Sequence, residues 1–522
     1  MSRILFLLLL TATVSFAAEL AVFEGRPDMM SIQPYHDSMQ LVYESSDYFV
    51  VFTEGDLSEL NIRTRILDAG DISLEDYALV TLSSPEGLST LQGLGETVFH
   101  RDGMAIVRLS GPFPEMFQGA GVFFVQPLRT ISLEDRTPHQ YYTLPMRGTD
   151  DDISDIVAAV SEDSIKAFIQ HLQDYQTRYS STDNYDTACD WVQYKFESYG
   201  LAAEQQTFPM SGYDCQNVIA ELPGVTDSTR IWIICGHLDS TSPSPQTNAP
   251  GADDNASGST AVIEAARILS GYEFNYTLRF VCFGGEEQGL WGSEYYAQQS
   301  SALGDDIIGV VNLDMVLYGP AGQDILWVPY NTPSEGLALA MEAICDTYVP
   351  ALEVDIEYSP GTVYSDHASF WNQGYAAVLG IEQEVYSNPY YHQTTDILAN
   401  YMQYFPFGTD CIKGAIATVA YLAEPAGGTG VAEGEVPFPH LHILGFSPNP
   451  ARTTLTVDLG QGYPDGIKVS VFDITGRMVI DGAHTPVSGT VTLDMSSLPS
   501  GVYSVRISSG GFAEVRSVVV AR

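Results

Sequence analysis

At 522 residues the chain is too long for one ordinary core and divides into several domains. Its 45% hydrophobic content is enough to fill those cores, and a formal charge of −44, from 22 basic against 66 acidic residues, excludes nucleic acid and anionic membrane surfaces as natural partners. The acids are dispersed along the chain, not gathered in one tail, which suits solubility, including in salty surroundings.

The first residues, MSRILFLLLLTATVSFAAEL, place Arg3 before an apolar segment too short to span a bilayer, then small residues from Ser15 to Ala18. This reads as a signal peptide over residues 1–18, cleaved near Ala17 or Ala18. No later stretch offers the ~18 uninterrupted apolar residues of a spanning helix, so no membrane span is expected. Residues 19–148 alternate short apolar runs (YFVVF, YALVTL, MAIVRL, GVFFVQPL) with helix-like pieces, the pattern of a small α+β domain. It carries no cluster of histidine, cysteine or carboxylate and ends in the polar stretch MRGTDDDISD, the composition of a removable pro-segment domain.

From 149 to 424, helices such as SIKAFIQHLQDYQTRY alternate with dense apolar strands: TRIWIICGH, TLRFVCFGG, DIIGVVNLD and YAAVLGIE. That predicts an α/β fold with a mostly parallel central sheet flanked by helices, binding its ligand beyond the carboxyl ends of the strands. PAGGTGVAEGEVPFP opens a linker over 425–440. The short alternating strands TTLTVDL, KVSVFDITGR, GTVTLDM, GVYSVRIS and EVRSVVVAR then predict an immunoglobulin-like β-sandwich over 441–522. The six cysteines (Cys189, Cys215, Cys235, Cys282, Cys345, Cys411) lack the CxxC pairs of a structural zinc site. Cys235 and Cys282 sit in strand-like runs as small core residues, and Cys189 with Cys215 is a candidate bridge.

Each of the four dense strands runs into polar residues that are costly to place at a sheet end. The first gives GHLDS, with His237 and Asp239, a spacing common by chance. Next, APGADDNASGSTAVIEAARIL sets Asp253 and Asp254 ahead of a helix that Asn255 or Ser257 can cap; alone, the aspartates could simply complement its dipole. Glu286 and Glu287 end the second strand in FGGEEQGLWGS, where an isolated pair would simply face water. Asp314 ends the third in VVNLDM, and NPYYHQTTDIL supplies His392 and Asp396. Two histidines with this many carboxylates, each at the carboxyl end of a strand or in the loop beyond, match the mixed nitrogen and oxygen donors of a zinc site, a set that also accommodates cobalt or manganese.

In SGYDCQNVI, GHLDS, APGADDNASG, GGEEQGLWGS, NLDM, YSDHASFW and HQTTD, in this order over about residues 155–424, the chain resembles the di-zinc exopeptidase family that includes bacterial leucyl aminopeptidases. The resemblance implies one zinc held by Asp253, Glu287 and His392, another by His237, Asp253 and Asp314, and Glu286 as general base. It further implies Asp239 and Asp396 orienting His237 and His392, Asp254 beside the ligands, and a cis peptide between Asp253 and Asp254. Met315, Tyr364, Ile381, Val385 and Tyr391 could line an apolar pocket for the first side chain of a peptide substrate. Thr362 and Tyr364 occupy the stretch where the bacterial leucyl enzymes carry a pair of cysteines, and Asp366 and His367 fall outside a ligand set that is already full. FSPNPARTTLTV, VFDITGR and LDMSSLPSGVYSVRI resemble the sorting domain of proteins exported by the type IX secretion route, which implies that secretion machinery as partner and a secreted or cell-surface location.

The function so expected is a secreted metallo-aminopeptidase acting through a water between two zinc ions. A carboxypeptidase, dipeptidase or glutaminyl cyclase on the same fold, and a non-catalytic receptor-like module, are the alternatives. The full ligand set counts against the last two.

Overall fold

The computed structural model describes residues 18–24, 39–53, 63–114, 117, 119–131, 151–210, 212–320, 322–426 and 445–521, the last span with gaps at 448–450, 459–466, 474–477, 485–489 and 510–511. The signal peptide up to residue 17, the boundary at 148 and most of the linker therefore lie outside the described residues. The described chain forms two compact units, 18–426 and 445–521.

In the first unit the leading residues build two antiparallel four-stranded sheets. Strands β1 (Ala18–Glu24), β2 (Met39–Glu44), β3 (Tyr48–Thr53) and β4 (Thr64–Gly70) run in the order β2-β3-β1-β4. Strands β5 (Tyr77–Leu82), β6 (Gly95–Arg101), β7 (Met104–Leu109) and β8 (Val122–Pro127) run in the order β6-β7-β5-β8. The four apolar runs read from the sequence fall in β3, β5, β7 and β8. Helix among these described residues is limited to the turn Gly87–Thr90 and short 3-10 segments, so the described residues of this part are nearly all β.

The rest of the unit is an eight-stranded sheet with helices packed against it. Its strands are β9 (Ala202–Met210), β10 (Tyr213–Leu222), β11 (Asp227–His237), β12 (Tyr276–Phe283), β13 (Asp306–Leu313), β14 (Ile325–Tyr330), β15 (Glu353–Tyr358) and β16 (Ala377–Glu382), in the order β15-β14-β16-β13-β11-β12-β10-β9. The four dense apolar runs are β16, β13, β11 and β12, adjacent and mutually parallel at the centre of the sheet. The sheet is mixed overall, because β10 joins β12, and β14 joins β16, antiparallel. All residues of β16 and the last seven of β11 are buried, as expected for strands covered on both faces. The helices Ala256–Leu269 and Phe405–Ala423 pack against β11. All six cysteines are buried free thiols, so Cys189 and Cys215 are not bridged.

The second unit consists of two antiparallel sheets. One holds Gly445–Ser447, Thr454–Asp458 and Thr490–Asp494; the other holds Ile467–Asp473, Met478–His484, Gly501–Ser509 and Phe512–Val520. They share one apolar core that includes Leu455, Val457, Val469, Val491, Val505 and Ile507. No helix among the described residues is long and apolar enough to cross a membrane.

Candidate metal centre

Parallel strands end on the same side of a sheet, so the residues just beyond β11, β12, β13 and β16 converge. His237 is the last residue of β11, Asp314 follows β13 directly, and Glu286 and Glu287 stand two glycines beyond β12. His392 lies in the loop after β16, in the left-handed region (φ 54°). The helix Ala256–Leu269 points its first turn at the same place. Its cap is Asn255, whose Oδ1 accepts from the Gly258 N–H at 2.8 Å, while the Asn255 amide donates to the Leu313 carbonyl at 3.0 Å. A Cβ on Gly258 would lie 2.1 Å from that carbonyl oxygen, which explains the small residues around the aspartates.

Asp254 is the hub. Its Oδ1 is 3.3 Å from His237 Nε2, and its Oδ2 is 3.2 Å from His392 Nε2. His237 Nε2 is also 3.3 Å from Asp314 Oδ1, and His392 Nε2 is 2.9 Å from Glu287 Oε2. Two donor triads result, His237–Asp254–Asp314 and Asp254–Glu287–His392, each with its ligand atoms within 4.8 Å of one another. Glu286 stands at the edge of this cluster, its Oε2 3.8 Å from His237 Nε2.

Four expectations need correction. Asp253 does not share the two clusters: its Oδ1 accepts from the Leu317 N–H at 2.9 Å and its Oδ2 from the Asn388 amide at 3.0 Å. Successive side chains diverge, and in this loop the inward one is Asp254. The cis peptide is correspondingly one residue later, between Asp254 and Asn255. Asp396 does not orient His392; its two oxygens accept from the backbone N–H groups of Asp253 (3.0 Å) and Asp254 (3.1 Å), gripping the aspartate loop by its main chain. Asp239 presents its backbone carbonyl to His237 Nδ1 at 3.1 Å, with its carboxylate 3.7 Å away. That carboxylate instead accepts from the N–H groups of Glu286 and Glu287, both at 3.2 Å, and from Ser180 Oγ at 3.1 Å.

Further residues support the site. Ser365 Oγ donates to Asp314 Oδ2 at 2.6 Å and accepts from the Asn312 amide at 2.8 Å. Fully buried Arg178 donates to the carbonyls of Leu172, Leu238, Pro250 and Gly251, tying the His237 and Asp254 loops together; burial pushes its guanidinium down to about 10. Buried Glu382 accepts from the same Asn388 amide at 2.8 Å and from the Tyr318 N–H at 2.7 Å. Asp366 and His367 are buried, the His367 Nε2 facing the Thr362 carbonyl at 2.8 Å. Of the expected pocket residues, Met315 and Ile381 are buried, while Tyr364 and Tyr391 converge with Tyr386 on Phe123 of β8. A cavity of about 380 Å³ beside them is lined by Phe113, Phe117, Thr241, Glu287 and His392, among others.

The residues fit a pair of divalent ions. A tetrahedral zinc with ligand atoms about 2.0–2.1 Å away sets those atoms roughly 3.3 Å apart, which is the spacing of His237 Nε2 from both Asp254 and Asp314. Charge points the same way, since the carboxylates of Asp254, Glu286, Glu287 and Asp314 surround two imidazoles in a buried site. Burial pushes the Glu286 carboxyl well up, and burial with the neighbouring Asp254 pushes Glu287 to about 7. Burial opposes a charge on His392, but Glu287 and Asp254 outweigh it and push the ring up to about 10. Glu287 Oε1 has no hydrogen-bond partner although it is buried. A buried cluster of acids of this kind is stabilised by added positive charge.

Residues 217–404 match the family model described as peptidase family M28, and residues 446–521 match that of the secretion system C-terminal sorting domain. A probable leucine aminopeptidase of Arthroderma benhamiae is 30% identical over 257 residues, 47% of this chain and 70% of its own length. A probable zinc metalloprotease of Pyrenophora teres f. teres is 26% identical over 417 residues, 70% of this chain and 85% of its own. Among solved structures, LapB from Legionella pneumophila superposes with a TM-score of 0.50 at 16% identity, covering 78% of this chain and 99% of its own. With its donor triads at the strand ends and these similarities, the chain belongs to peptidase family M28, a zinc-dependent peptidase that carries a C-terminal secretion sorting domain.

Proposed function

We propose that the protein is a di-zinc aminopeptidase that removes N-terminal, apolar residues from peptides, one ion being held by His237, Asp254 and Asp314 and the other by Asp254, Glu287 and His392. The observation that carries this reading is the single Asp254 carboxylate, whose two oxygens face two different imidazoles. Bound zinc supplies a coordinated water of lowered pKa and polarises the scissile carbonyl. Glu286 takes the proton from that water and hands it to the leaving amine. Its place beside Glu287 keeps it near the ions without ligating them, and burial, which raises its carboxyl, suits it to hold the proton between the two steps. Asp239 fixes both glutamates by accepting their backbone N–H groups.

The same proposal includes a signal peptide over 1–18, a removable N-terminal domain over 19–148 and a tail over 441–522, of immunoglobulin-like type, that directs export by the type IX route. The sorting-domain match supports the last of these. The test is hydrolysis of leucyl-p-nitroanilide by zinc-loaded protein lacking residues 19–148, beside Glu286→Gln. The variant is expected to keep two zinc ions by elemental analysis and to lose roughly 10²–10⁴-fold in turnover. Equal turnover in both proteins refutes the role of Glu286, and no turnover despite two bound ions refutes the aminopeptidase reading.

A further inference from the structure

The turn that carries Glu286 and Glu287 is fixed at several points. Asp239 accepts from both glutamate N–H groups, and the Glu286 carbonyl accepts from the N–H groups of Gly289 (2.8 Å) and Leu290 (2.9 Å). The Gln288 carbonyl accepts from the Trp291 indole N–H at 2.9 Å. Gln288, the residue after Glu287, therefore has its main chain held in the same rigid turn as the two acids.

Its side chain is held by nothing comparable. Gln288 is 2% exposed, yet neither its amide nitrogen Nε2 nor its oxygen Oε1 has a hydrogen-bond partner among the described residues. Buried side-chain polar atoms are nearly always paired, and an unpaired one destabilises the chain, so this amide calls for an explanation. Methionine or leucine would fill a similar volume without that cost. The amide lines the cavity of about 380 Å³ beside the metal centre, whose wall also includes Thr241, Glu287, His392 and Gln393. An unpaired amide is a poor wall for an apolar side chain. It is a good match for a peptide group, because a primary amide sets a donor and an acceptor side by side where the peptide offers a carbonyl and an N–H.

We propose that Gln288 binds the main chain of the substrate beyond the bond that is cut: Nε2 donates to the carbonyl of the residue after the scissile bond, and Oε1 accepts from the N–H that follows. The inference rests on the aminopeptidase reading above. It adds a substrate class, since the enzyme then selects peptides that continue past the first bond over simple amides of one amino acid.

The test uses the full chain, zinc-loaded, carrying Glu286→Gln so that ligands bind with little turnover, with Gln288 intact, as Gln288→Met and as Gln288→Leu. Calorimetry gives the affinities for leucylglycylglycine and for leucinamide, which ends at the first amide nitrogen. With Gln288 intact the tripeptide is expected to bind at least about tenfold tighter than leucinamide, the effect of one or two hydrogen bonds, and in both variants the two ligands are expected to bind within about twofold of each other. The variants are also expected to melt no lower than their parent, because the amide they remove is unpaired. Selectivity kept in either variant, or absent from the parent, overturns the proposal. Selectivity lost only together with lowered melting and lost zinc overturns it as well, since that marks a structural amide. If the chain with Glu286 intact holds zinc but cuts neither ligand, the aminopeptidase reading fails, while the affinity comparison still decides the role of Gln288.

Discussion

Asp253 and Asp254 are chemically identical neighbours, and replacing each by asparagine separates their roles. Asp254→Asn is expected to leave at most one zinc ion per chain by elemental analysis, because one oxygen of this carboxylate belongs to each triad. Asp253→Asn keeps the backbone contacts to Asp396 and is expected to retain both ions at saturating metal, with affinity lowered roughly 10–100-fold as for other groups that orient ligands. His367 offers a test by pH. Burial pushes its ring down to about 4, against an ordinary ~6.5, so the unfolded chain takes up the proton more readily than the folded one. The stability from the neutral ring is therefore complete above pH ~6.5 and is lost as pH falls towards 4, up to about 3 kcal/mol. Denaturant midpoints of wild type and His367→Gln across that range are expected to show a steeper acid decline for the wild type. The acids and histidines of this site could be read from the sequence because they follow apolar strands. Which of two adjacent aspartates faces inward could not, since that depends on Asp396, more than 140 residues away, gripping the loop.

At the scale of elements, the loops are held by hydrogen bonds to main chain. Arg178 directs its guanidinium to four carbonyls from three segments. Arg178→Met leaves those acceptors buried without a donor and is expected to destabilise the chain by roughly 3–5 kcal/mol, with weakened zinc affinity. Urea denaturation and zinc competition check both effects. Nothing near Arg178 in sequence marks this role, because its partners lie up to 73 residues away. The strands β11, β12, β13 and β16 were legible for the opposite reason: strands buried on both faces are unbroken apolar runs. Strand β15, with its alternating exposed and half-buried pattern, sits at the sheet edge, where a short amphipathic run carries no sign of its pairing.

At the scale of the whole molecule, the two compact units predict separable activities. A chain ending at residue 426 is expected to keep zinc binding and turnover and to lose export, measured as activity in the culture medium against activity in the cells. The leading sheets are different, because they share one continuous apolar core with the eight-stranded sheet through Phe123, Phe124 and Tyr364. From the sequence, a leading segment without a cluster of histidine, cysteine or carboxylate is expected ahead of the peptidase domain. The sequence did not show that β8 and Arg129 pack on the turn that carries Glu286 and Glu287.

By itself the sequence determined the central parallel strands, the acids and histidines at their ends, and the sorting tail. These follow from local apolar density and from residue types set at fixed distances after each strand. The tertiary structure alone decided which carboxylate joins the two clusters, what Asp239 and Asp396 grip, and that Phe123 packs on Tyr364, Tyr386 and Tyr391. Those choices rest on contacts between segments far apart in the chain, with energies set by burial and by the direction of each backbone donor, and neither quantity exists before the chain has folded.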